Sequence, residues 1–290
     1  MTEKLFSGVA TAIITPFKND KIDYVAFEKL IEMQIDSGID SIVFCGTTGE
    51  APTLWEDEKI SLYKFAVKTV NGRVPVICGT GSNSHYTTMR LSEKAVSAGA
   101  DGLLCVTPYY NKGTKQGIEK CYKEVCSLGT PVILYNVPSR SCVDVNYDIL
   151  DNLTNEKNLI GIKECVGVGR ISEYKVRYGD RYSLYTGNDS DFLPSLSVGA
   201  DGVISVVSNI LPDHVKRIYT SYKSNRNNDS IEEHIRLSRI TGLLFSDTNP
   251  APIKYALSEL GLCENTLRLP MSAINEDLSK KISNEMKKIV

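Results

Sequence analysis

Val198-Gly199-Ala200-Asp201-Gly202-Val203-Ile204-Ser205-Val206 runs from a glycine joint through one acidic residue into a short apolar stretch. Ser37-Gly38-Ile39-Asp40-Ser41 and Ala98-Gly99-Ala100-Asp101-Gly102 repeat the joint, each again just before an apolar run. A glycine there suits the left-handed turn that ends a helix, and the short polar link feeds the strand that follows. Outward from these joints, runs rich in Val, Ile and Leu occupy residues 9–14, 41–45, 74–78, 102–106, 131–135, 159–164, 182–186 and 202–206. They are apolar without alternation, as parallel strands buried on both faces are, and the segments between them have room for a covering helix. The rhythm predicts an α/β protein, a (β/α)8 TIM barrel. An open doubly wound sheet is the competing architecture, because alternation alone does not prove closure.

After the eighth run, residues 211–290 read as several helices punctuated by Pro212, Asn249-Pro250 and Pro270, with no further strand. No Pro/Gly/Ser-rich linker, charge block or low-complexity tract intervenes. The expectation is a barrel over residues 1–225 and a C-terminal helical extension over 226–290, packed on the barrel and not an independent domain. A length of 290 residues suits that arrangement.

With 33 basic and 35 acidic residues the formal net charge is -2, which gives nucleic acid or another polyanion nothing to follow. The opening Met1-Thr2-Glu3-Lys4-Leu5-Phe6 lacks the apolar stretch of a signal peptide, and no segment reaches the ~20 apolar residues of a membrane span. A cytoplasmic protein without membrane or nucleic-acid partners is expected. Eight cysteines, at 45, 78, 105, 121, 126, 142, 165 and 263, include no C-x-x-C pair. Cys45, Cys78, Cys105 and Cys165 sit in or just after strand-like runs and are expected as buried reduced thiols. His85, His214 and His234 are far apart and set among polar residues, which points to the surface rather than to a metal. G-x-G-x-x-G, the P-loop pattern, H-E-x-x-H and cysteine-histidine clusters are all missing, so neither a nucleotide nor a metal cofactor is expected.

A closed barrel gathers its chemistry at the C-terminal ends of its strands. Lys163 lies there, within Leu159-Ile160-Gly161-Ile162-Lys163-Glu164-Cys165. Burial disfavours the ammonium form and leaves an amine able to attack a carbonyl; the structural alternative is an ion pair with Glu164. Gly46-Thr47-Thr48-Gly49 offers hydroxyls and backbone N–H groups to a carboxylate, although taken alone such a tetrapeptide is more often a plain turn. Tyr135, ending the fifth run, is placed to move a proton, and a second tyrosine with a threonine hydroxyl can relay it. Arg140, two residues past Pro138, brings a planar guanidinium that grips a carboxylate through two hydrogen bonds.

These segments, together with Gly79-Thr80-Gly81-Ser82-Asn83, Thr107-Pro108-Tyr109-Tyr110-Asn111 and Leu267-Arg268-Leu269-Pro270-Met271, resemble in the same order the pyruvate-dependent class I aldolases and lyases, the family of the dihydrodipicolinate synthases and N-acetylneuraminate lyases. The Thr47-Thr48 pair and Ser139-Arg140 resemble its synthase branch. The resemblance implies condensation of pyruvate with L-aspartate 4-semialdehyde in the diaminopimelate and lysine pathway, through a Lys163 imine and without a separate cofactor. Under it Thr47 and Thr48 hold the pyruvate carboxylate, Tyr135, Thr47 and Tyr110 relay protons, Arg140 binds the semialdehyde carboxylate, and Gly187 and Ile204 contribute backbone. Tyr110 would serve a neighbouring subunit's site, implying a homo-oligomer, most commonly a tetramer built as a dimer of dimers. Two rivals are a sibling lyase acting on another 2-keto acid and a non-catalytic pyruvate-binding barrel. Lys59 stands where the family's cationic effector docks, so feedback inhibition by L-lysine is expected to be weak or absent.

Overall fold

The computed structural model describes residues 4–289; Met1–Glu3 and Val290, which fall in the two expected segments and in the opening stretch, lie outside the described residues. Among the described residues eight parallel strands close into a barrel: β1 Gly8–Ala12, β2 Ser41–Phe44, β3 Val76–Gly79, β4 Gly102–Val106, β5 Val132–Asn136, β6 Leu159–Glu164, β7 Ser183–Thr186 and β8 Gly202–Ser205. Closure is made by β1, which pairs with β8 on one side and β2 on the other. The open-sheet alternative is thereby excluded. Each apolar run is a strand, and the first ends earlier than its hydrophobicity suggests. Ile13 and Ile14 are buried, but the Ile14 N–H has left the ladder for Asn209 Oδ1.

The repeated joints have a physical explanation. Gly38, Gly99 and Gly199 have φ of 72°, 92° and 100°, the left-handed turn that lets each helix stop. The aspartate two residues on then turns its carboxylate back to the preceding strand: Asp40 accepts from the Val9 N–H, Asp101 from Val76 and Asp201 from Leu184, at 2.8, 2.8 and 2.9 Å. Each joint thus ends a helix and fixes the register of a strand pair in the same few residues.

Both faces of the strands are buried, which is why the runs do not alternate. On β5, Val132 and Leu134 pack outward against the helices while Ile133 and Tyr135 point into the barrel. Phe6 closes the lower end of the interior, stacked on Tyr185 at 4.3 Å. Covering helices include α1 Tyr24–Asp36, α2 Glu56–Val70, α3 His85–Ala98, α4 Lys115–Cys126, α5 Val168–Tyr178, α6 Phe192–Ser197 and α7 Pro212–Lys223. Beyond them lie α8 Asn227–Leu244, α9 Ala251–Glu259 and α10 Glu276–Ile289. No helix among the described residues is long and apolar enough to cross a membrane.

One element escaped the sequence reading. Phe17–Lys18 and Lys21–Ile22 form a small antiparallel ribbon at the barrel mouth, turned by Asn19 and Asp20 with φ of 51° and 58°. Asn and Asp tolerate the left-handed conformation that such a two-residue turn requires. The three histidines are each partly exposed, and His85 and His214 pair with Glu124 and Glu233. Their polar sequence neighbours occupy other faces of the same helices, a separation that linear order conceals.

Candidate active site

Strand alternation places Lys163 and Glu164 on opposite faces of β6. Glu164 points outward, accepting from Asn136 Nδ2 at 3.0 Å and from the Val166 N–H at 2.8 Å. Lys163 points inward at the barrel mouth, 6% exposed, with its Nζ 4.3 Å from the centroid of the Tyr135 ring. The expected ion-pair alternative with Glu164 is therefore not formed. Among the described residues no carboxylate lies within ion-pair distance of Lys163. Burial pushes the amine below its usual pKa, an effect to which nearby Arg140 adds, while Cys165 and Asp189 oppose it.

Small residues make the room. A Cβ on Gly187 would lie 2.3 Å from Cys165 Sγ and 2.8 Å from Lys163 Cε, so only glycine passes beside the lysine stem. A Cβ on Gly161, one inward position below Lys163, would come within 3.2 Å of the Tyr185 ring. Ile204 is fully buried in the barrel interior with Tyr135, and Val206, two residues on, reaches the cavity wall.

Cys45, with φ of 53°, turns the chain sharply out of β2 into Gly46-Thr47-Thr48-Gly49. Thr47 lines the cavity beside Tyr135, whose phenol burial pushes well above its ordinary pKa. Thr48 is buried and faces the same cavity as Lys163, where its hydroxyl accepts from Asn249 Nδ2 at 2.9 Å. The cavity holds about 200 Å³ and is also lined by Arg140, Cys165, Gly187 and Asn188. A second lobe of about 210 Å³ continues past Thr47, Tyr135 and Arg140 to Ser82, Tyr109 and Lys59. Arg140 sits in the turn Pro138–Ser141, exposed, lining both lobes without an ion pair among the described residues.

Lys163, Tyr135, Thr47, Thr48, Arg140 and Gly187 thus come together around one cavity. Tyr110 does not: it is 87% exposed, held at φ of 73°, and absent from both lobes of its own chain's site. Three residues were not anticipated. Cys165, expected as a buried core thiol, is half-exposed in the cavity wall, because β6 ends at Glu164 and the chain then turns across the mouth. Buried Asp189 accepts from Ser205 and the Val206 N–H, close enough to influence Lys163. Asn249 arrives from the C-terminal extension. None carries a local sequence signal, since each acquires its meaning from a strand or helix distant in the chain. No cluster of potential metal ligands occurs among the described residues.

The model of the dihydrodipicolinate synthetase family matches residues 5–289. The chain is 44% identical to a 4-hydroxy-tetrahydrodipicolinate synthase of Magnetococcus marinus, over 98% of each chain. It superposes on the crystal structure of dihydrodipicolinate synthase from Aquifex aeolicus with a TM-score of 0.95, at 40% identity and 98% coverage of both. The dihydrodipicolinate synthase of Acinetobacter baumannii, solved in complex with pyruvate, gives 0.94 at 36% identity, over 97% of this chain and 98% of that one.

Proposed function

The chain belongs to the dihydrodipicolinate synthetase family, and on that premise we propose that it condenses pyruvate with L-aspartate 4-semialdehyde to 4-hydroxy-tetrahydrodipicolinate through an imine on Lys163. The observation that carries this reading is a buried lysine without a carboxylate partner, lying over a tyrosine ring in a cavity that also holds the Thr47-Thr48 hydroxyls and the unpaired Arg140.

The neutral Lys163 amine attacks C2 of pyruvate, whose carboxylate rests on Thr47 and Thr48. Tyr135, held protonated by burial, gives its proton to the C2 hydroxyl, which leaves as water, and the resulting phenolate takes a proton from C3 to form the enamine. Enamine C3 attacks the semialdehyde's aldehyde carbon, and Tyr135 protonates the new alkoxide. The acceptor's own amine then displaces Lys163 at C2, closing the ring and freeing the lysine, and the proton lost from the ring nitrogen returns Tyr135 to the phenol. Arg140 positions the acceptor by its carboxylate, Gly187 contributes backbone at the cavity wall, and Ile204 contributes backbone from the barrel interior beneath it. The imine is itself the electron sink, so the reaction calls for no separate cofactor.

The exposed, strained Tyr110 supports a role in a second copy's site, completing the Tyr135–Thr47 relay there. The enzyme is then a homo-oligomer, a tetramer arranged as a dimer of dimers, working in the cytoplasm. The barrel over residues 1–225 and the extension over 226–290 act as one unit. A sibling lyase is the weaker reading, since the relatives above carry the synthase name.

Borohydride reduction with pyruvate, followed by mass spectrometry, tests the reading on wild type and Lys163→Ala, with semialdehyde consumption assayed in parallel. A pyruvyl adduct on wild type alone, with semialdehyde-dependent turnover, is expected. An adduct without turnover would move the substrate to a sibling lyase, and no adduct would remove the imine.

A further inference from the structure

Asn249 belongs to the segment between α8 and α9, yet its side chain lies in the barrel mouth, buried in the wall of the cavity that holds Lys163. Its Nδ2 donates to Thr48 Oγ1 at 2.9 Å. An amide nitrogen can only donate, whereas a hydroxyl has one proton to give and lone pairs to fill. Thr48 therefore receives the amide proton and must direct its own elsewhere, and no acceptor for it exists among the described residues. The other end of the amide, Oδ1, is buried with no partner. The bond to Thr48 is thus the one hydrogen bond the Asn249 side chain makes among the described residues.

The extension grips the same loop at two further points. Lys254 of α9 pairs with Glu50 at 2.5 Å, and the Arg268 N–H donates to the other Glu50 oxygen at 3.2 Å. Glu50 follows Gly49, so Thr48 and Asn249 are held in fixed relation by contacts that do not involve the cavity itself.

We propose that Asn249 is a positioning residue that fixes the direction of the Thr48 hydrogen bond, so that the cradle presents an O–H donor and selects keto acids by their carboxylate. The inference rests on the reading of Lys163 as the imine-forming residue, and names the group that makes this site specific for an anion.

Asn249→Asp reverses the bond, since a carboxylate accepts from Thr48 and adds negative charge beside the pyruvate carboxylate. The KM for pyruvate is expected to rise about tenfold or more while kcat stays within about threefold. Lowering the pH from about 8 to about 6 protonates part of the introduced carboxyl and restores an O–H donor, so the ratio of variant to wild-type KM shrinks. Asn249→Ala, which adds no charge, is expected to raise KM about threefold, with a ratio independent of pH. Combined with Thr48→Val, it adds no further rise, because both changes remove the same bond. A wild-type pyruvate KM in Asn249→Asp would overturn the proposal, as would equal, pH-independent effects of Asp and Ala, or additivity with Thr48→Val. Borohydride trapping on the wild-type enzyme reports on the imine separately, so failure of that premise is distinguishable from failure of the Asn249 assignment.

Discussion

Lys163 at the mouth end of β6 and Lys254 on α9 are both buried lysines, 6% and 0% exposed, and burial pushes both below the usual lysine pKa. Their surroundings differ in one respect. Lys254 sits 2.5 Å from Glu50, donates to the Thr266 carbonyl at 2.8 Å and lies 4.1 Å from the centroid of the Phe17 ring, which Arg268 also approaches at 4.5 Å. Lys163 has an aromatic ring and a cavity, and no carboxylate partner. Burial alone therefore does not identify a nucleophile. A partnered buried lysine is a fastener, here joining the extension to the loop that carries Thr47 and Thr48; an unpartnered one is an amine available to a carbonyl.

The sharpest break between the two follows from replacing each with a methionine of similar length. Lys163→Met is expected to lower turnover by at least about a thousandfold and to abolish borohydride trapping, with thermal stability unchanged or raised. Trapping that survived would show that burial without a partner is not what distinguishes this lysine. Lys254→Met is expected to do the reverse. It leaves Glu50 buried without its countercharge and lowers stability by about 3–5 kcal/mol, while pyruvate still forms an adduct wherever the protein remains folded. Chemical denaturation of the variant, and of Lys254→Met with Glu50→Gln, which removes the stranded charge and recovers part of the loss, measures this.

A smaller effect lies in the pH dependence of folding. The folded-state pKa of Lys163 lies below its ordinary value of 10.5, so between the two the unfolded chain binds more protons and stability rises with pH. The stability advantage of Lys163→Met over wild type is therefore fully present below the folded-state value and shrinks as pH is raised toward 10.5. Urea midpoints of the two proteins at neutral and alkaline pH provide the check; a constant difference would mean that Lys163 is not shifted. The smallest effect concerns Lys59, half-buried in the outer lobe of the cavity, which gives that lobe a positive charge along with Arg140 and no carboxylate in its lining. Added L-lysine is expected to leave activity nearly unchanged. Half-inhibition at sub-millimolar L-lysine would contradict the repulsion argument.

Much of this was legible in the linear chain. The apolar runs are strands because parallel strands buried on both faces need unbroken hydrophobicity, and a lysine inside such a run is conspicuous wherever the run folds. The Gly-x-Asp joints were legible as helix ends, but not as clamps on the preceding strand, because the receiving N–H belongs to residues 17 to 31 positions earlier. Cys165 was misread for a related reason: it adjoins an apolar strand, and only the turn after Glu164 puts it in the cavity wall.

Hydrophobic period and residue chemistry act locally along the chain, so the β/α alternation, the lysine and the strand ends around it were already legible there. Closure of the barrel, the countercharge of each buried lysine, the place of Asn249 and the acceptor left to the Thr48 hydroxyl came from the fold. Those depend on contacts between residues about two hundred positions apart, whose direction is set by packing and not by neighbours in the chain.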